Sequence, residues 1–211
     1  MMKKFVAGLL LFVLAACPVM AEEENDILIA YISRAGENYN VGVADPESES
    51  AKYAGYIEKG NTEIMAEKIA ELTGGELYTI TVKDTYPEDY ASMLVRAQEE
   101  LDEDARPELE GELPDLTDKQ IIFIGYPIWH GATPRPVLTF LESYDLTGKT
   151  VIPFNTHEGS GQSGTQDEIE EAAPGAELLD GLAIQGKVAQ EDEERTEELI
   201  SSWLTELGMM K

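Results

Sequence analysis

The chain has 211 residues, enough for one domain with a full hydrophobic core. Its 42 Asp and Glu against 15 Lys and Arg give a formal net charge of −27, which argues against any nucleic-acid or anionic-membrane partner. A single cysteine, Cys17, excludes a disulfide, and it leaves the folded part without a thiol nucleophile or a cysteine metal site.

Residues 1–21, MMKKFVAGLLLFVLAACPVMA, combine a basic start (Lys3, Lys4), an apolar run over 5–16 and small residues at Val19 and Ala21. This predicts an export signal whose apolar part is too short to span a membrane. Cleavage after Ala21 starts the mature chain at Glu22, leaving 13 Lys and Arg against 42 Asp and Glu, a net −29. The stretch LAAC also fits a lipoprotein signal that acylates Cys17, the one route to a membrane. Residues 22–211 then form a single domain with an acidic, solvated surface. Any phosphate in it must be held by local N–H and hydroxyl groups against an adverse overall field.

DILIAYIS (26–33) is nearly continuously apolar, as a strand buried on both faces requires. A helix should follow, yet residues from about 36 to 60 intervene. Such an excursion fits a binding loop or lid, and equally a tolerated surface insertion. KGNTEIMAEKIAELTGG (59–75) is the delayed helix: Asn61 or Thr62 as cap, Met65, Ile69 and Leu72 on one face, and Gly74 and Gly75 as the stop. Gly60-Asn61-Thr62 at its start suits an anion, because the backbone approaches closely and free N–H groups sit at the positive end of the macrodipole.

Further strands are expected at 76–82, 120–126, 150–155 and 177–184, and further helices at 87–101, 134–144, 165–173 and 191–207. The helix over 87–101 places Tyr90, Leu94, Ala97 and Leu101 on one face. In the last helix, Trp203 shares a face with Ile200, Leu204 and Leu207, a core position. Residues 102–119, with Pro107 and Pro114, read as a loop. Strand and helix alternate, so the fold class is α/β with a parallel sheet covered on both faces.

Ligands of such sheets bind at the carboxyl ends of the strands. There stand Ser33, Arg34 and Ala35, then YPIWHGATP (126–134) and THEGSGQSG (156–164), which hold both histidines of the chain. The loop after the second strand is plain. A ligand would therefore span the first, third and fourth strands, with a phosphate at the first and a flat ring between the others. The spacing of His130, His157 and Glu158 matches no metal motif, and no metal site is expected.

ISRAGENY, KGNTEIMAEKIAELTG, YPEDY, IFIGYPIWHGATPRPVLTFLESYDLTGKTVIPFNTHEGSG and WLTELG resemble the flavodoxin family, in particular a secreted bacterial branch, over residues 26–207. The resemblance implies a flavodoxin-like doubly wound three-layer sandwich, a five-stranded parallel sheet of order 2-1-3-4-5, and FMN at the switch point. It carries the phosphate loop onto Ser33, Arg34, Ala35, Asn61 and Thr62, where hydroxyls and backbone N–H groups do the binding. The first ring loop falls on Pro127, Ile128, Trp129, His130 and Gly131, with Trp129 stacking on or edging the ring. The second falls on Thr156, His157, Glu158, Gly159, Ser160 and Gly161, whose N–H groups face the pyrimidine edge, with His157 a donor near N1 and O2. The sequence departs from the family pattern in the 36–60 insertion, where Tyr39, Tyr53 and Tyr56 are placed to cover the flavin or a partner site.

The function this implies is an exported FMN-binding electron-transfer protein, serving a redox partner protein or a small-molecule electron acceptor. Two alternatives stay open. One is an FMN-dependent NAD(P)H or quinone reductase; the missing G-x-G-x-x-G does not exclude it, since nicotinamide can stack on flavin directly. The other is a flavin-less scaffold on the same fold. A phospho-receiver would need acids where Ser33 and Arg34 stand.

Overall fold

A computed structural model describes residues 26–37, 56–57, 59–87 and 89–210. The export signal with Cys17, and Tyr39, Tyr53 and the side chain of Tyr56, lie outside the described residues. The sheet elements are β1 (Ile27–Tyr31), β2 (Gly36–Glu37), β3 (Tyr56–Ile57), β4 (Glu76–Thr79), β5 (Ile121–Pro127), β6 (Thr150–His157), β7 (Glu177–Leu178) and β8 (Leu182–Gln185). The helices are α1 (Asn61–Thr73), α2 (Tyr90–Asp102), α3 (Arg135–Glu142), α4 (Thr165–Ala172), α5 (Gly186–Glu191) and α6 (Glu193–Glu206).

All pairings in the main sheet are parallel, in the order β4-β1-β5-β6-β7, which is 2-1-3-4-5 counted along its major strands. β1, an interior strand, is buried at all five positions. Successive residues point to opposite faces, so Leu28, Ala30, Ile122, Ile124 and Tyr126 meet Val137, Phe140, Leu141 and Ile169 on one side. On the other, Ile29, Tyr31, Phe123, Ile152 and Phe154 meet Met65, Ile69, Ile200, Trp203 and Leu204. Each fully buried Ile, Leu or Phe contributes about 1.5–3 kcal/mol relative to exposure. Trp203 is a core residue: its ring edges Phe123 at 5.6 Å, and Nε1 donates to Asp180 O at 3.0 Å. Gly125 stands opposite Phe154, whose ring carbon would lie 2.1 Å from any Cβ at 125.

Several elements differ from the sequence expectation. The second strand ends at Thr79, after which Val82 turns to bridge Leu109 antiparallel. The 102–119 loop is thereby anchored, through Lys83 N to Glu108 O and Glu110 N to Thr81 O. The fifth strand is broken in two. Odd residues of β6 face it, as Leu179 N bonding to Val151 O shows, and Pro153 on that side has no N–H to offer. There the chain leaves the ladder, and Gly181 passes so close that a Cβ would lie 2.6 Å from Pro153 O.

The buried face of α2 is Met93, Ala97 and Glu100, one position off the expected face. Glu100 is tolerated because Tyr86 Oη donates to Oε2 at 2.6 Å and Arg96 Nε to Oε1 at 2.8 Å. α5 was not expected at all. The 36–60 excursion pairs antiparallel through Gly36 with Ile57 and Glu37 with Tyr56, so its two ends leave and return side by side.

Candidate functional site

The cleft opens at the carboxyl ends of β1, β5 and β6, where strand order reverses. Ser33, Arg34, Asn61, Thr62, Tyr90, Met93, Pro127, Ile128, Trp129, Thr156, His157 and Glu158 line it. Most residues singled out from the sequence are thus brought together.

At one end is the start of α1. The N-cap is Gly60 rather than Asn61 or Thr62, and it makes no side-chain cap bond. The bond comes instead from across the turn, where Ser33 Oγ accepts from Glu63 N at 3.2 Å. Gly60 is glycine for space: a Cβ would lie 2.0 Å from Ser33 Oγ and 2.9 Å from Arg34 O. The first intrahelical bond is Ile64 N to Gly60 O, which places the positive end of the helix at the cleft beside Asn61 and Thr62. Thr62 and Thr156, both buried, share a hydroxyl hydrogen bond of 2.9 Å that ties this turn to the end of β6.

The loop after β5 forms the flat wall. Trp129 N donates to Ala132 O at 3.2 Å and Ala132 N to Trp129 O at 2.9 Å, which closes a two-residue turn. Both central residues have positive φ, His130 at 51° and Gly131 at 78°, the type I′ pattern. The histidine therefore carries backbone strain, and its Nε2 donates to Leu94 O on α2 at 2.8 Å. His130 and Gly131 shape the loop from outside the cleft. Ile128 N donates to Thr156 O at 2.9 Å, joining the two ring loops, and Tyr86 packs edge-on against Trp129 with centroids 5.0 Å apart.

Behind this loop is a buried clamp. Thr133 N donates to Glu168 Oε2 at 2.7 Å, and Arg135 Nη2 donates both to Thr133 O at 3.0 Å and to Glu168 Oε1 at 2.6 Å. One residue, Thr133, is thus held at its N–H and its C=O by a single ion pair.

The second ring loop turns back on itself. Gly159 N donates to His157 Nδ1 at 2.9 Å, so the imidazole proton sits on Nε2, the donor left to the cleft. Burial lowers the His157 pKa from its ordinary value and keeps the ring neutral. Asn155, buried, donates to Gly161 O at 3.1 Å and fixes the loop's base. Gly159, Ser160 and Gly161 do not themselves line the cleft. Ala35 lines a neighbouring cleft, with Ile32, Ile80, Tyr86 and Pro87, that shares Ser33, Arg34 and Trp129 with the first.

Sequence reasoning missed Tyr90 and Met93, the first turn of α2, which close the side left to a plain loop. The sequence pattern places Tyr90 on one helical face with Leu94, Ala97 and Leu101. The signal was the Pro87–Asp89 lead-in: Arg34 Nη2 donates to Pro87 O at 2.7 Å, and Asp89 caps α2 through Ser92 N. Burial first, and the Glu158 charge second, push the Tyr90 phenol up against the pull of Arg34. Among the described residues, Arg34 is the one cationic and Glu158 the one acidic side chain lining the cleft. The remaining polar groups are neutral: the hydroxyls of Ser33, Thr62, Tyr90 and Thr156, the His157 Nε2–H and the Asn61 amide. Among the described residues no group of His, Cys, Asp and Glu could hold a metal ion, and no helix is long and apolar enough to cross a membrane.

A doubly wound α/β domain with hydroxyls and helix-end amides at one end of a switch-point cleft, and a tryptophan wall at the other, is a ligand-binding domain of the flavodoxin-like class. Residues 51–204 match the model of the flavodoxin family, and the chain belongs to that family. No curated protein matches it. Among solved structures, one from Bacteroides eggerthii assigned as a flavoprotein is 27% identical with a TM-score of 0.63, covering 87% of this chain and 98% of that one. Another so assigned, from Bacteroides uniformis, is 28% identical with a TM-score of 0.60, over 84% of this chain and 98% of that one. A flavoprotein from Lactobacillus acidophilus, solved in complex with FMN, shares the fold at 24% identity and a TM-score of 0.55, over 77% of this chain and 94% of that one.

Proposed function

We propose that the chain is an exported FMN-binding electron carrier. The observation that carries this reading is the cleft itself, which joins an anion end to a flat aromatic wall at the switch point of a flavodoxin-family sheet. Its residues fit the cofactor. Gly60 leaves no Cβ in the phosphate turn, and the positive end of α1 opens there with the Thr62 hydroxyl beside it. The lysine beside the turn, Lys59, is paired with Glu67, so neutral donors and Arg34 hold the phosphate within a chain of net charge −27.

Bound FMN supplies the redox chemistry at its ring. Pro127, Ile128 and Trp129 would hold that ring and keep water from it. His157 Nε2–H and the backbone at Thr156 would supply polar partners for its pyrimidine edge. Glu158 and the acidic surface disfavour added negative charge, which lowers the potential. The basic, then apolar, then small-residue pattern of residues 1–21 supports export, with acylation at Cys17 as the lipid-anchored variant. The partner is a redox protein or a small electron acceptor.

The second cleft, which shares Ser33, Arg34 and Trp129 with the first, favours a second reading as an NAD(P)H or quinone reductase. Anaerobic mixing separates the two. A carrier is reduced by dithionite and leaves NADH, NADPH and added quinone unconsumed. Steady oxidation of either nucleotide selects the reductase.

A further inference from the structure

The phosphate turn is held from behind by a residue outside the cleft. Gln190, on α5, donates from a single Nε2 to Lys59 O at 2.6 Å and to Asn61 Oδ1 at 2.8 Å. Two things follow from elementary geometry. Because Lys59 O is an obligate acceptor, the Gln190 amide nitrogen faces the turn, so the atom of Asn61 that meets it is the oxygen. The Asn61 Nδ2 then points away from α5's Gln190, toward Glu158: a Cβ at Gly186 would lie 2.3 Å from Asn61 Nδ2 and 2.2 Å from Glu158 Oε1. In addition, a trans peptide sets C=O and the next N–H antiparallel. Fixing Lys59 O toward α5 therefore turns the Gly60 N–H to the opposite side of the turn.

Gln190 works from a fixed base. Asp192 N donates to Val188 O at 3.0 Å, and the buried Thr196 of α6 donates to the same carbonyl at 3.1 Å, so α5 is fastened to α6. Gly186, at the start of α5, has no Cβ, and this lets Asn61 and Glu158 approach it.

We propose that Gln190 is a positioning residue for the phosphate end of the cleft, and that it sets the preference for a phosphorylated over an unphosphorylated flavin. The inference rests on the FMN reading above and adds a specificity device to it. Gln190 bonds the turn and does not line the cleft, so its loss acts on the phosphate end and spares the ring.

The test compares FMN and riboflavin binding to the apoprotein by quenching of flavin fluorescence, for the wild-type chain, Gln190→Met and Gln190→Glu. Met keeps the length without a donor. Glu puts a carboxylate against two acceptor oxygens. The expected result is an FMN affinity lowered about tenfold in Gln190→Met and further in Gln190→Glu, as for the loss of hydrogen bonds to an ordered turn, with riboflavin affinity within about twofold of wild type. Equal weakening of both flavins would mean a general structural role and overturn the inference. So would an unchanged FMN preference in both variants, with the FMN reading left standing. A wild-type chain that binds neither flavin overturns the FMN reading and this one with it.

Discussion

Glu168→Ala removes the carboxylate that fastens the Trp129 loop to α4. Its two oxygens accept from Thr133 N at 2.7 Å and Arg135 Nη2 at 2.6 Å. The Arg135 side chain is 7% exposed, and breaking a buried pair from one side costs about 3–5 kcal/mol. That figure is reduced here, because the Glu168 side chain is 30% exposed and Arg135 keeps Asp104 Oδ1 at 3.2 Å. The expected loss is about 2–3 kcal/mol for Ala. For Gln, which still accepts from Thr133 but carries no charge, it is about 1–2 kcal/mol. Urea unfolding of the apoprotein, followed by far-UV circular dichroism at constant m-value, reads both numbers. Trp129 emission, recorded in a Trp203→Phe background, reports the loosened loop. An Ala variant within about 0.5 kcal/mol of wild type, with Trp129 emission unchanged, would refute the clamp.

Thr62→Val and Thr156→Val each strand a buried hydroxyl and cost about 1–3 kcal/mol, whereas the double variant costs less than their sum. Additive losses in a urea double-mutant cycle would contradict a shared bond. Burial pushes the Tyr126 phenol up to about 12. The folded chain then keeps a proton that the unfolded chain loses near 10, so stability present below pH 10 is lost as pH rises toward 12. Tyr126→Phe should flatten this alkaline fall by about 2–3 kcal/mol; an identical slope in both proteins rejects it. His157 runs the other way. Its pKa is lowered by burial, so the unfolded chain takes the proton first and stability falls as pH drops below about 6.5. An NMR titration, assigned with His130→Gln, should place the His157 midpoint below that value, and a midpoint at or above it would contradict the half-buried neutral ring.

The sheet was legible because β1, β5 and β6 are buried on both faces and spell near-continuous apolar runs. The cleft walls were legible for a related reason, since loops at the carboxyl ends of such strands have one place to go. What was missed depends on partners distant in sequence. Gly60 is the cap because Ser33 approaches from another loop. Glu100 enters the core because Arg96 pairs with it and Tyr86 donates to it, which displaced the face expected for α2 and hid Tyr90's place in the cleft. α5 has six residues and no side-chain cap, too short to announce itself through periodicity. The break in the fifth strand follows from a proline in its neighbour, information that sits about two dozen residues earlier in the chain.

The central claim is most directly tested by the visible spectrum of the mature chain, residues 22–211, after incubation with FMN and gel filtration. A flavin spectrum that elutes with the protein, and is lost in Trp129→Ala and Thr62→Val, is the predicted result. A colourless protein at micromolar FMN would contradict it.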